Sequence, residues 1–415
     1  MHNRELPSMG SNNNNHISLF FLLFFAGLLN SKDYFQYLDF DIIILVISFL
    51  FHIFLFYLFL STILSFLMKK NNFRFYSFPY WMILLAAIFI KWFLLFIQSP
   101  GWVLPGGIYF YEIRVITINI ILLITVAIRI KKIQDIKAVI WGLGLGTSLT
   151  FLIPLILFPE MIGSRAINVN NYSFTGGFWN SSVISFISIG WLLVALSTIE
   201  KSKTKKYILL AIFILTILGG LAGLSRSILL SIIISVIVYL IAAKQFLKYI
   251  KAISWTAILA VTIILIFPQL VDNFEQRFTD GVSIEEEPRV DIWLDYIEDL
   301  PKYILFGDIK GEYKRYSETG HGPHTVLLNW LTRYGILALM GFFAIIFGII
   351  KAIKRIQKDV SLHASASAFA WLASYLAVAV INETGFLQLT VYGAMGVLLG
   401  WGNFLKKESF SLKSL

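Results

Sequence analysis

The chain has 415 residues, of which 58% are hydrophobic and only 14% charged, with a mean hydropathy of +0.77. No water-soluble domain of this size carries so little polar surface. Cysteine is absent, which removes disulfides, thiol catalysis and thiolate metal sites. The net charge of +10 would suit nucleic acid, but the Lys and Arg residues gather in short turns between apolar runs. That is a topology signal, and no nucleic-acid partner is expected. The apolar runs are continuous, where the strands of a membrane barrel would alternate over roughly ten residues. The expected class is an all-α polytopic membrane protein.

Residues 1–16 are polar and Asn-rich and read as a disordered cytoplasmic tail. Apolar runs then predict about twelve transmembrane helices, at roughly 17–29, 42–67, 80–98, 108–128, 138–158, 181–199, 207–223, 228–243, 252–271, 327–350, 362–381 and 386–405. Twelve spans put both termini on one side. Six connectors carry basic clusters: Lys69, Lys70 and Arg74; 129–137; 201–206; 244–251; 351–358; and Lys406 with Lys407. All six fall on the side of the termini, which the positive-inside rule makes cytoplasmic. The opposite connectors, 30–41, 99–107, 159–180, 224–227, 272–323 and 382–385, are neutral, mixed or acidic. The expected organisation is one membrane domain: spans one to nine over 17–271, a large outer loop at 272–323, spans ten to twelve over 324–405, and a cytoplasmic tail at 406–415. Spans 207–223 and 228–243 are short for a hydrocarbon layer of about 30 Å. They meet at Gly219, Gly220, Gly223 and Ser225, which predicts a buried, broken helix pair with its junction below the outer surface.

Three places carry candidate chemistry. Arg226 stands between the two short spans; it either snorkels to headgroups or forms a recessed cation suited to a phosphate or pyrophosphate. Arg289 lies in the 272–323 loop, just after Pro288 and the carboxylates Glu285, Glu286 and Glu287, which suit a helix start. Val290, Trp293, Leu294 and Ile297 then fall on one stripe, predicting an amphipathic helix on the outer membrane surface, in which Arg289 either pairs with a neighbouring acid or reaches a ligand. His321 and His324 flank a Gly-Pro turn where the chain returns to the membrane, and either imidazole could take a proton from a sugar hydroxyl. Two His three apart also permit a metal, but no carboxylate stands at a recognisable ligand spacing, so no metal and no cofactor are expected.

Further substrate-binding candidates on the outer half are Arg165, Trp293, Asn329, Arg333 and Lys91, with His321 as an alternative base. Lys91, Glu112 and Arg114 sit within apolar spans, where ionisable groups are functional by default until a partner explains them; Glu112 and Arg114 can neutralise each other. Glu383 is placed on the same side. Asp39-Phe40-Asp41 has the spacing of an acidic metal pair but also suits a polar span boundary.

Taken together, four pieces resemble the O-antigen ligase and O-antigen polymerase family of lipid-linked saccharide transferases. Gly-Leu-Ser-Arg-Ser-Ile, with Arg226, looks like its Ser-Arg motif at the start of a span. Arg289-Val-Asp-Ile-Trp293, followed by Leu305-Phe306-Gly307, resembles its Arg-x-x-x-Trp helix and Leu-x-Gly turn. His324 with Gly335 matches its His-x10-Gly signature, and Phe174 to Asn180 is a looser match to its Gly-x-Phe-x-Asn loop. The resemblance covers roughly residues 165–345. It implies a GT-C-like helical fold and a large periplasmic loop in the bacterial inner membrane. It also implies an inverting, metal-independent glycosyltransferase acting on an undecaprenyl-pyrophosphate-linked oligosaccharide. Arg226 and Arg289 are then similar to the family's pyrophosphate-binding arginines and His324 to its base. Membrane lipids, a chain-length regulator and a flippase are the partners implied. Thr325 and Ala338 depart from the ligase form of the pattern, which puts an O-antigen polymerase ahead of an O-antigen ligase. A lipid-linked oligosaccharide flippase or other transporter is a third reading, but no internal repeat is visible and the singled-out residues gather on one face.

Overall fold

The computed structural model describes residues 15–29, 41–67, 78–105, 107, 109–157, 166–169, 172–175, 186–222, 226–244, 288–309, 323, 325–381, 386 and 388–411. In chain order the elements are α1 (Asn15–Leu28), α2 (Asp41–Leu67), α3 (Phe78–Gln98), α4 (Pro100–Val103), α5 (Phe110–Arg129), α6 (Ile133–Leu157), β1 (Ala166–Val169) and β2 (Tyr172–Thr175). After a π turn (Phe186–Gly190) come α7 (Trp191–Ile199), α8 (Lys203–Ala222), α9 (Arg226–Ala242), α10 (Pro288–Glu298), α11 (Leu300–Tyr303), α12 (Val326–Asp359), α13 (Leu362–Ile381) and α14 (Leu389–Ser411). Every predicted span has a helix at its place except 252–271, which lies outside the described residues. Among the described residues five helices, α2, α3, α5, α12 and α13, are long and apolar enough to cross a membrane. The protein is a multi-pass helical membrane protein.

Two features differ from the sequence reading. The basic stretch 351–358 is the last two turns of α12 and not a connector, because Lys, Arg and Gln are good helix formers. The predicted loop 159–180 contains a two-stranded antiparallel hairpin, with Ala166 opposite Thr175 and Val169 opposite Tyr172. Its cause is local: Ile167, Val169, Tyr172 and Phe174 alternate with polar residues around Asn170-Asn171, a period of two that suits strands.

Helices meet through small residues, as they must where lipid supplies no hydrophobic drive for helix association. Gly142 and Gly146, one turn apart on α6, lie against the backbone carbonyls of Phe20 and Phe24 on α1, and Gly27 presses on Gly146 and Thr147. A Cβ on any of these three would overlap main-chain atoms of the partner helix. Gly341 brings α12 against the backbone of Leu84 on α3, and Gly396 brings α14 against Leu123 on α5. Polar links add to these contacts. Ser188 Oγ donates to Thr390 Oγ1 at 2.7 Å, and Trp371 Nε1 donates to the Ser188 carbonyl at 3.3 Å.

At the end of the bundle away from 288–309, here the basic end, Arg129 donates from Nε to Thr62 Oγ1 (2.7 Å) and from Nη2 to the Leu58 carbonyl (2.9 Å) and Ser61 Oγ. Asn15 Nδ2 in turn donates to the Arg129 carbonyl at 3.1 Å. Lys137 pairs with Glu200 at 3.0 Å. Burial would raise the Glu200 carboxyl, but the Lys137 ammonium and the N–H groups of Ser202 and Lys201 outweigh it and hold the group below the usual carboxylate range. Its stabilisation is therefore present at neutral pH and lost as the pH falls through that lowered value.

Gly146→Val should separate α1 from α6 and destabilise the protein by about 1–3 kcal/mol, as overpacking does. Gly101→Ala, at a position with open space around it, should leave stability unchanged. Thermal unfolding of both variants in one detergent checks the contrast.

Candidate functional site

The site is built on a break in α12. Gly335 has φ +80° and ψ −176°, inside what is otherwise one continuous helix from Val326 to Asp359. That conformation is open to glycine almost alone. The break leaves backbone groups of the flanking turns without helical partners, and segment 304–308 supplies them. Asp308 N–H donates to the Thr332 carbonyl at 2.6 Å, and Ile336 N–H donates to the Ile304 carbonyl at 2.7 Å. The approach is backbone to backbone: a Cβ at Gly335 would overlap Leu305 and Phe306, and one at Gly307 (φ +72°) would overlap Arg333 and Tyr334. The Leu-Phe-Gly turn and the glycine eleven residues past His324 are thus direct partners.

Around this joint stands a buried polar cluster. Lys91 of α3 donates its ammonium to the Asp308 carbonyl and lies 5.4 Å from the Tyr109 ring centroid. The Tyr109 hydroxyl donates to Asp308 Oδ2 at 3.1 Å. Arg333 of α12 pairs with Glu112 in the first turn of α5 at 2.7 Å, both side chains largely buried, and its guanidinium lies 5.3 Å from the Phe386 ring centroid. Glu112 does not pair with Arg114. Residues two apart on a helix point away from each other, and Arg114 instead lies over the rings of Tyr111 (5.4 Å) and Phe110 (5.9 Å).

Helix α10 starts at Pro288, where the sequence predicts a helix start. Its expected apolar stripe is present, with Leu294 and Ile297 exposed. A second stripe, not foreseen, carries the docking: Ile292 and Tyr296 pack with Tyr303 and Leu300 against Leu328 and Leu331 of α12. The Tyr303 hydroxyl donates to the Tyr296 carbonyl, joining α10 and α11 into one block. Trp293, one turn beyond Arg289, donates from Nε1 to the Pro323 carbonyl at 2.9 Å.

The start of α9 belongs to the same region. Ser231 Oγ meets Ser374 Oγ at 2.7 Å and the Ser374 carbonyl at 3.1 Å, and Tyr239 OH meets His363 Nδ1 at 3.4 Å. Positions rise along α9 as they fall along α13, so the two helices are antiparallel. Continuing that register over five residues, about 7.5 Å, puts the backbone of Arg226 level with Ala379. The Ala379 carbonyl accepts from Thr325 Oγ1 at 3.1 Å. Thr325 also caps α12, accepting from Leu327 N–H at 3.3 Å, a role that Thr, Ser and Asn share.

The predicted site residues therefore divide. Arg226 opens α9, and Arg289 stands second in α10. Trp293 holds the carbonyl of the residue before His324. Asn329 is fully buried one turn into α12, donating to the Thr325 carbonyl at 2.9 Å, while its Oδ1 has no hydrogen-bond partner among the described residues. Lys91 and Arg333 are engaged by Asp308 and Glu112. His324, His321, Arg165 and Glu383 lie outside the described residues, as do Asp39 and Phe40. Among the described residues no three His, Asp or Glu side chains stand together as metal ligands. Sequence reasoning missed Asp308 and Tyr109. An acid directly after the Leu-Phe-Gly turn, in a chain with a lone Lys inside a span, was the available signal.

These features define a multi-pass helical membrane protein with a buried polar cluster at the end of the bundle that bears a docked amphipathic helix. No protein-family model and no curated protein matches the chain.

Gly335→Ala and Gly307→Ala should each destabilise the joint by at least about 1–3 kcal/mol, the usual cost of forcing a side chain into such a conformation. Thermal unfolding, with hydrogen exchange of 300–309 as the local readout, checks this. Glu112→Gln and Arg333→Met should each cost about 3–5 kcal/mol by leaving one buried charge alone. The double variant should cost less than the sum, as a double-mutant cycle in unfolding midpoints would register.

Proposed function

We propose that this protein is an O-antigen polymerase type of glycosyltransferase, joining undecaprenyl-pyrophosphate-linked oligosaccharide repeat units. In this reading it has twelve spans and a GT-C-like fold in the bacterial inner membrane, with segment 272–323 at the periplasmic face. The observation that carries the reading is a convergence. Sequence pieces spread from the start of α9 to Gly335 are tied together by Ser231 to Ser374, Thr325 to Ala379, Trp293 to Pro323, and the Leu305–Gly307 turn to the break at Gly335.

The chemistry follows from the donor. A sugar hydroxyl of the acceptor attacks the anomeric carbon of the lipid-linked sugar; its carbon–oxygen bond to the pyrophosphate breaks, and the configuration inverts. The leaving pyrophosphate gathers negative charge, which Arg226 and Arg289 steady with paired hydrogen bonds. His324 accepts the proton of the attacking hydroxyl. Arg165, His321, Trp293 and Asn329 complete the substrate-binding set. The acceptor distinguishes this enzyme from an O-antigen ligase, which would use lipid A core in place of a second lipid-linked chain.

Purified protein in lipid nanodiscs, given the lipid-linked repeat unit alone, should extend it into longer chains. Arg226→Ala, Arg289→Ala and His324→Ala should each reduce the rate by about 10²-fold or more. Unchanged extension in all three would sink the assignment, and transfer only when lipid A core is added would make the protein a ligase.

A further inference from the structure

Segment 304–309 is held by buried polar and charged groups in a place where apolar packing was available. Leu95, Val103 and Tyr109 form an apolar wall there, with Trp92, Trp102, Ile113 and Ile309 packed against it. Within that wall Lys91 is 2% exposed and Asp308 1%. Burying two such ions costs several kcal/mol each, and well-packed apolar side chains of the same volume often serve stability as well or better. What the ions add is register. The ammonium of Lys91 reaches the carbonyl of one residue, Asp308, whose N–H is bonded to Thr332 and whose carboxylate accepts from Tyr109. The N–H of that residue is thereby tied to α12, its carbonyl to α3 and, at 3.3 Å, to the Tyr109 hydroxyl at the start of α5, and its carboxylate to the same hydroxyl.

The tie reaches further along the chain. Segment 304–308 follows α11 directly, and α11 is joined to α10 through Tyr303, Tyr296 and Ile292. Moving Asp308 moves this block, and with it the indole of Trp293 on Pro323 and the backbone of Arg289 one turn before it. Glu112 and Arg333 stand beside the same joint and pair α5 with α12.

We infer that Asp308, Lys91 and Tyr109 are positioning residues. They fix where the block carrying Arg289 and Trp293 sits relative to Pro323, the Thr325 cap of α12 and the start of α9, and so set the geometry of transfer. This rests on the transferase reading for its catalytic consequence, though not for the anchoring itself. Lys91 in this role does not touch substrate.

The test uses the full chain in nanodiscs with four variants: Lys91→Met, Asp308→Asn, Tyr109→Phe, and Lys91→Met with Asp308→Asn together. Hydrogen exchange should quicken selectively over 288–309 and 326–336 in the first two, less in the Tyr109 variant, and leave α1 and α6 as protected as before. Displacement of a reacting group by about an ångström costs on the order of 10²-fold in rate. The turnover number should accordingly fall by about that factor in Lys91→Met and Asp308→Asn with little change in KM for the donor, and recover in part when both charges are removed. Unchanged exchange over 288–309 in every variant would overturn the anchor. So would exchange that quickens equally throughout the bundle, and a change confined to KM would overturn the positioning role in transfer. An inactive wild-type protein whose 288–309 exchange still responds would refute the transferase reading while leaving the anchor in place.

Discussion

A membrane helix can be broken only where something else satisfies its backbone, and in this protein that constraint organises one whole end of the bundle. Gly335 interrupts α12, and the groups freed there are bonded by Ile304 and Asp308. In a lipid-surrounded bundle each such group left unpaired would cost several kcal/mol. The segment that fills the break is therefore part of the helix in all but sequence. Two glycines allow it, since neither Gly307 nor Gly335 leaves room for a methyl group.

The two ends and the middle of the bundle use different physics. In the middle, helices approach through Gly142, Gly146, Gly341 and Gly396, where dispersion between close backbones replaces a hydrophobic drive. At the basic end Arg129 is spread over the last turns of α2, and its own carbonyl holds the start of α1. At the loop end buried charges bridge elements: the Lys91 ammonium bonds to the Asp308 carbonyl, and Glu112 pairs with Arg333. Charge is placed where position matters more than cohesion.

The sequence reading reached the parts of this architecture that depend on local pattern. Apolar length gave the helices, and Pro288 gave the start of α10. It did not reach what depends on distance along the chain. Glu112 has an arginine two residues away and takes the one 221 residues away. Asp308 reads as one carboxylate among many in an acidic loop, yet it is buried against Lys91. For α10 the lipid-type stripe of Leu294 and Ile297 was visible, whereas the Ile292 and Tyr296 stripe has meaning only once Leu328 and Leu331 are beside it. The hairpin at 166–175 was legible in principle, as a period of two, but a search for long apolar runs passes over four-residue strands.

The filled break in α12 also has a consequence for how the chain is made. Residues 304–308 are synthesised before the helix they complete, so α10, α11 and the turn must wait at the membrane surface until Thr332, Gly335 and Ile336 arrive. Until then the Asp308 N–H and the Ile304 carbonyl lack the bonds that Thr332 and Ile336 supply, although Lys91 and Tyr109 are already made and can receive Asp308. Completion of this end of the molecule is thus a late assembly step, in which a surface segment already delivered is captured by the next helix to enter the bilayer.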